Sequence, residues 1–299
     1  MKVAYHPKYE HSVPEKHKFP MEKYSLLKDQ LIHNGIISKA DLFEPKQMDW
    51  DIVEMVHSKD YLDKLKCNTL KPIEQRKIGF EWSEELIERE LVIMQGTLDC
   101  ALYALDNNYA FNIAGGTHHA YSNKGEGFCL MNDFAIASTF LLKRKLASKI
   151  LIIDLDVHQG NGTAKIFNSS SNVFTFSMHG RDNYPLKKEF SSLDIPLKHG
   201  VGDKEYLFEL NQALRQFNLK PKFDFVFYQS GVDVLETDKL GKMSLSAQGC
   251  MKRDRMVFEF CKNNELPVVS AMGGGYSKDI NEIVRAHCQT FEQALAVFS

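Results

Sequence analysis

The chain has 299 residues, 43% hydrophobic and 25% charged, the balance of a globular protein rather than a disordered or fibrous one. It carries 37 basic and 39 acidic side chains, a formal charge of −2, and no Lys/Arg block. Electrostatics therefore give no support for a nucleic-acid or anionic-membrane partner, while a basic peptide substrate stays open. No apolar run approaches bilayer-spanning length, the N-terminus lacks a signal-type apolar core, and the six scattered cysteines form no CxxC pair. Together these read as a cytoplasmic protein with reduced thiols.

In chain order, Lys2–Tyr5 reads as a short strand. His6 to Pro20 is rich in His and Pro and reads as irregular; its histidines lack compact ligand spacing, so a hydrogen-bonded loop is favoured over a metal site. Met21–Asn34 places Tyr24, Leu27 and Leu31 at helical spacing, with Gly35 as a stop. Trp50–Val56 and Ser58–Cys67 read as short helices, with Ser58 a candidate N-cap. Ser83 precedes Glu84 and Glu85, acids suited to a first helical turn, and that helix is expected to run to about Asp106.

A repeated pattern follows. Strands at Ala110–Ala114, Lys149–Leu155, Asn172–Ser177, Asp224–Gln229 and Pro267–Ala271 alternate with helices. These run from Asp133 to near Lys145, over Asn161–Asn168, Asp203–Phe217 and Ser246–Asn263, and from Ser277 to about Val297. The stretch from Ser177 to about Pro196 reads as irregular. The alternation predicts an α/β fold, a mostly parallel sheet with helices on both faces. With no repeat, linker or low-complexity segment, residues 1–299 are expected to form one domain.

Ligands of open parallel sheets bind at the carboxyl ends of the strands. Each unusual segment of this chain follows a predicted strand: Gly115-Gly116-Thr117-His118-His119, Asp154 to His158, Ser177-Met178-His179, Ser230-Gly231-Val232-Asp233 and Gly273-Gly274-Gly275-Tyr276. All five are expected on one rim.

Asp154, Asp156 and His158 stand at alternate positions and would project to one side of extended chain. Such a group at the end of a buried strand is costly to desolvate without a cation. Asp156, His158 and Asp233 make a plausible three-ligand set with one open position, as in catalytic zinc sites. Alone, each has a plainer reading: a helix-capping Asp, a His bonded to backbone, a loop Asp. The His118-His119 pair could serve as general base and general acid, with Asp154 and Asn161 available to orient it, or could be chance surface histidines. Tyr276 could donate to a developing oxyanion, or simply pack after a tight glycine turn. Phe128 and Tyr184 could wall a slot for an alkyl chain, although such rings are more often core.

The segments Gly115–Ala120, Gly127-Phe128-Cys129-x-x-Asn132-Asp133, Asp154–Thr163, Ser230–Asp233 and Gly273–Tyr276, together with His57-Ser58-x-x-Tyr61, resemble the zinc-dependent histone deacetylase superfamily. The likeness covers nearly the whole chain. The loop Asp233–Gly241 and the compact length look most like the class IV branch and its bacterial relatives. The resemblance implies an arginase-like fold and zinc (iron(II) possible) on Asp156, His158 and Asp233. It implies His118 and His119 as the acid/base pair, oriented by Asp154 and Asn161, and Tyr276 as the group that polarises the acyl carbonyl. It also implies a structural potassium near Asp154, Ser177 and Met178, with backbone oxygens of Asp156 and His158. Phe128, Tyr184, Gly127 and Gly274 would line the acyl-lysine tunnel, with Leu240 at its rim.

Three positions depart from the pattern. Gln159 stands where many relatives have His, Asn161 where many have Asp, and Lys23 lies near a position where Arg is common in bacterial relatives. A neutral amide stabilises an imidazolium less than a carboxylate does, so His119 is expected to be the neutral base. The expected activity is hydrolysis of the amide of acyl-lysine, acetyl or longer, in proteins or peptides. Deacetylation of acetylpolyamines or other small amines is the alternative, and Leu240 in place of an acid leans toward acyl-lysine. A non-catalytic acyl-lysine reader would lack a ligand or Tyr276. A dimanganese hydrolase would need more carboxylates than His158-Gln159 allows.

Overall fold

Strand β4 (Ile150–Asp154) is buried at every position, and so is β7 (Phe225–Gln229). Runs of Ile, Leu, Phe and Val of this kind belong in a sheet covered on both faces. The computed structural model, which describes residues 1–15, 17–218 and 222–299, places them at the centre of an eight-stranded sheet. Lys16, inside the segment read as irregular, lies outside the described residues. The other strands are β1 (Lys2–Ala4), β2 (Leu42–Phe43), β3 (Tyr109–Asn112), β5 (Val173–Gly180), β6 (Leu193–Leu197) and β8 (Val268–Ala271). Their order is β2-β1-β3-β8-β7-β4-β5-β6 and every pairing is parallel.

Helices cover the sheet. On one side α5 (Glu84–Asn107), laid against β1, β3 and β8, adjoins α6 (Asp133–Lys143), which adjoins α7 (Asn161–Phe167). A second row joins α1 (Lys23–His33), α10 (Ile280–Phe298), α9 (Ala247–Asn263) and α8 (Asp203–Asn218). Shorter helices α2 (Trp50–Val53), α3 (Lys59–Lys66) and α4 (Pro72–Ile78) precede α5. Ser83 caps α5 by accepting from Leu86 N, and Ser246 caps α9 by accepting from Gly249 N, as Ncap serines do. No helix among the described residues is long and apolar enough to cross a membrane.

Among strands and α-helices, the structure adds three to those read from sequence. Strand β6 lies in the stretch expected to be irregular; it is an edge strand, mostly half-buried, where Pro196 is tolerated, so its pattern is not apolar. Helix α4 starts with Pro72 at its first turn, Glu74 accepts from Lys71 N at 2.7 Å, and Gly79 ends it at φ +89°. Strand β2 has two residues, too few to show a period. Boundaries also shift: α2 ends at Val53 rather than Val56, β5 continues to Gly180, and α10 begins at Ile280 after Asp279 caps Asn281 N. Strand β4 ends at Asp154, so Asp156 and His158 do not continue an extended row; they converge by the bends that follow it.

Register aligns the carboxyl edge. Asn112, Ala271, Gln229, Asp154 and Ser177 are successive partners across β3, β8, β7, β4 and β5. The five loops that carry the chemistry therefore leave five adjacent strands in the same direction.

Candidate active site

The loop after β3 turns through Gly115 (φ +83°) and Gly116 (φ +72°), a backbone that favours glycine. A Cβ on Gly116 would lie 2.1 Å from Oε1 of Gln229. Asp133, at the start of α6, accepts from Gly116 N, Thr117 N and the Thr117 hydroxyl, each at 2.9 Å. This clamp presents the two histidines that follow. Their rings lie 4.1 Å apart, Nδ1 of His118 2.7 Å from Oδ2 of Asp154 and Nδ1 of His119 2.6 Å from Oδ1 of Asn161.

The different partners push the two imidazoles apart. Burial would lower His118, but the charge of Asp154, then that of Asp156, holds it up at about 9. His119 is drawn well below its ordinary value by burial and by the charges of His118 and His158, which outweigh the Asn161 amide at its ring and the more distant charge of Asp156.

Asp156, His158 and Asp233 are buried and offer one ligand atom each, all within 4.8 Å of one another. Nδ1 of His158 is 3.1 Å from Oδ1 of Asp156 and 3.0 Å from Oδ2 of Asp233. Backbone donors fix the carboxylates: Val157 N to Asp233 at 2.9 Å and Gly274 N to Asp156 at 2.8 Å. Burial and the charge of Asp156 push Asp233 up to about 7, and the two carboxylates hold His158 up at about 10 against its burial. Two carboxylates and an imidazole converging in a dry site are groups that a divalent cation satisfies, and the donor set suits zinc. Beside it, Asp154 faces Ser177 across the β4–β5 pair, with Met178 next on β5. Asp154 Oδ1 accepts from Asp156 N at 3.2 Å, and the Ser177 hydroxyl is 3.0 Å from Nδ1 of His179.

Tyr276 faces the same group from the loop after β8, its ring 6.4 Å from that of His158 and 6.2 Å from that of Phe128. Burial, with the charges of Asp156 and Asp233, keeps its phenol far above the ordinary value, hence protonated. A cavity of about 390 Å³ opens over these residues, lined by His119, Gly127, Phe128, His158, Tyr184, Leu240 and Tyr276 among others. Gly274, expected in the tunnel wall, lies deeper. It borders a small inner space of about 40 Å³ together with Arg89, Gly116 and Gln229. Gln159 points away from the triad, bonding Glu189 and Asp194. Lys23 is buried, donates to the carbonyl of Gly273 at 3.1 Å, and is lowered by burial to about 8.

Several residues that hold the site drew no notice in sequence. Arg253, buried on α9, donates to the carbonyl of Gly231 at 2.6 Å and so braces the loop that carries Asp233. Asp133, Glu126 and Asp238 are acids inside or beside quoted motifs, but each also meets a partner from distant chain that no spacing shows. His57 and Tyr61 do show in sequence. They pin the segment before α6, His57 Nε2 accepting from Asn132 N at 3.0 Å and the Tyr61 hydroxyl donating to Leu130 O at 2.9 Å.

A histone deacetylase domain profile matches residues 17–291. The chain belongs to the histone deacetylase family. It is 42% identical over 296 residues to an uncharacterised protein of Picosynechococcus, covering 99% of each chain. It is 28% identical to histone deacetylase 2 of Arabidopsis thaliana, over 90% of this chain and 72% of that one. Among solved structures, an HDAC homologue crystallised with SAHA superposes with a TM-score of 0.84 at 24% identity, over 99% of this chain and 88% of the other. An HDAC homologue from Aquifex aeolicus superposes at 0.82 and 23%, over 98% and 83%. At these identities the structures establish the fold alone. Family membership makes the chain a metal-dependent amide hydrolase, in a zinc-dependent family that acts on acetyl-lysine-like amides.

Proposed function

We propose that residues 1–299 act as a single catalytic domain that hydrolyses the amide of acyl-lysine in peptides or proteins, releasing lysine and a carboxylate. The observation that carries this reading is the cavity that reaches His119, His158 and Tyr276, with His158 grouped beneath it with the buried Asp156 and Asp233. The triad would hold zinc, which when bound supplies a Lewis acid for the acyl carbonyl and the attacking water. Asp154, Ser177 and Met178, with backbone oxygens of Asp156 and His158, would hold potassium through oxygen donors. His119, whose Nδ1 is engaged by Asn161, keeps Nε2 free to take a proton from the attacking water. His118, charged beside Asp154, supplies positive charge, and the His pair delivers a proton to the departing amine nitrogen. Tyr276 donates its O–H to the carbonyl oxygen as negative charge grows there. One C–N bond breaks, one C–O bond forms, and the water's protons end on the products.

Phe128 and Tyr184 would flank the alkyl chain of the lysine. A cationic acetylpolyamine is less well matched: the cavity mouth carries Lys77 and Lys242, and its acid, Asp182, is already 3.5 Å from Arg181. The test is a panel of lysine peptides from acetyl to myristoyl run beside acetylpolyamines. Turnover of at least one acyl-lysine peptide above all polyamines supports the reading; turnover of polyamines alone overturns it.

A further inference from the structure

The loop Gly125–Cys129 brings a carboxylate into the wall behind His119. Glu126 is 8% exposed and its Oε1 lies 2.7 Å from Nδ2 of Asn161. The same amide nitrogen is 3.0 Å from the phenol oxygen of Tyr121, whose own proton is directed to Glu189 at 3.4 Å. Both hydrogens of the Asn161 amide are thus spent on acceptors, and its oxygen is left to face Nδ1 of His119 at 2.6 Å.

This arrangement has one consistent proton assignment. Oε1 of Glu126 accepts from the amide nitrogen of Asn161 and so draws that nitrogen toward itself. The amide oxygen, now turned to His119, also only accepts. Nδ1 of His119 must then carry the ring proton, and Nε2 keeps its lone pair. Turning the amide over would set its oxygen against the Glu126 carboxylate and its NH₂ against Nδ1, which would move the ring proton to Nε2, where it blocks a base. In low dielectric the oxygen–carboxylate clash is the costly part of that alternative.

We propose that Glu126 is a positioning residue: acting through the Asn161 amide, it holds His119 in the Nδ1–H tautomer. The inference rests on the reading of His119 as the proton acceptor. The relay orients His119 without placing a carboxylate on its ring, unlike the direct contact of Asp154 with His118. Lys124 Nζ, 3.3 Å from Oε2, and the side chain of Tyr184 are the other hydrogen-bond partners of the Glu126 carboxylate.

The test reads the tautomer directly. Zinc-loaded full-length protein, labelled with ¹⁵N at histidine, is compared as wild type and Glu126→Gln by long-range ¹H–¹⁵N correlation. Wild-type His119 is expected to show a protonated Nδ1 and an unprotonated Nε2. In Glu126→Gln, whose side-chain amide can also donate, the Nε2–H form should appear, and kcat should fall about tenfold with KM within about twofold. Glu126→Ala gives a second route to the same shift. In Glu126→Gln with Asn161→Asp, a carboxylate meets the ring directly; Nδ1–H should return, and the acidic limb of the kcat profile should move to higher pH. Asn161→Asp alone sets two carboxylates against each other and should be worse than the double variant. An unchanged Nδ1–H signal in both Glu126→Gln and Glu126→Ala overturns the proposal. A shifted tautomer with unchanged kcat upholds it and removes His119 from its role as base.

Discussion

Asp238 accepts a 2.6 Å hydrogen bond from the backbone N–H of Tyr276 through Oδ2. Its other oxygen accepts from Leu240 N and Gly241 N, both at 2.8 Å. One carboxylate therefore ties the loop that carries the phenol to the loop whose Leu240 lines the cavity. Asp238→Ala should lower kcat by about 10- to 100-fold, because a misplacement of order 1 Å has that cost in a preorganised site. Zinc content should stay at the wild-type level, since Asp238 is outside the triad. Steady-state kinetics with elemental analysis checks this; a variant with full activity would remove Asp238 from the account.

Tyr276→Phe isolates the hydroxyl, because the ring keeps its contacts with Phe19, Phe128 and His158. Loss of one oxyanion donor should cost about 3 kcal/mol, on the order of a hundredfold in kcat, with little change in KM. Near-wild-type turnover would show that Tyr276 only packs.

His57 supplies a pH dependence of stability remote from the metal site. Burial lowers it from 6.5 to about 4, and Nε2 accepts from Asn132 N, so the folded chain holds it neutral. Below pH 6.5 the unfolded chain gains a proton that the folded chain refuses until about pH 4. The unfolded state therefore binds more protons in that window, and stability falls as pH falls from 6.5 toward 4. At pH 5 the loss from this residue is about 2 kcal/mol. Denaturant unfolding of wild type and His57→Gln at pH 7.5 and pH 5 should show a smaller pH effect in the variant by about that amount; equal slopes would contradict a neutral His57.

Much of this site was legible because parallel strands send their carboxyl ends one way. Once β3, β4, β5, β7 and β8 were recognised by their apolar runs, the His pair, the Asp-x-Asp-x-His segment, Asp233 and Tyr276 had to share a rim, and the register of Asp154 with Ser177 and Gln229 shows how closely. The orienting contacts were legible where they joined motif residues, as His118 with Asp154. They were not where the partner lay in an unremarkable position. Nothing in Gly125-Glu126-Gly127 tells that this acid meets Asn161, because the contact exists only after α7 packs beside that loop. Edge strand β6 escaped notice for a related reason: half-exposed strands carry Asp and Pro that interior ones exclude.

The proposed acyl-lysine hydrolysis depends on a metal held by Asp156, His158 and Asp233. The direct measurement is mass-spectrometric detection of amine and carboxylate released from an acyl-lysine peptide. It is made with chelator-stripped protein, zinc-reloaded protein and Asp156→Ala, each with its zinc content determined. Active wild type should carry about one zinc per chain, stripped protein should give no product and recover on reloading, and Asp156→Ala should show neither zinc nor product. Hydrolysis that persists in the stripped protein or in Asp156→Ala would contradict that dependence on metal.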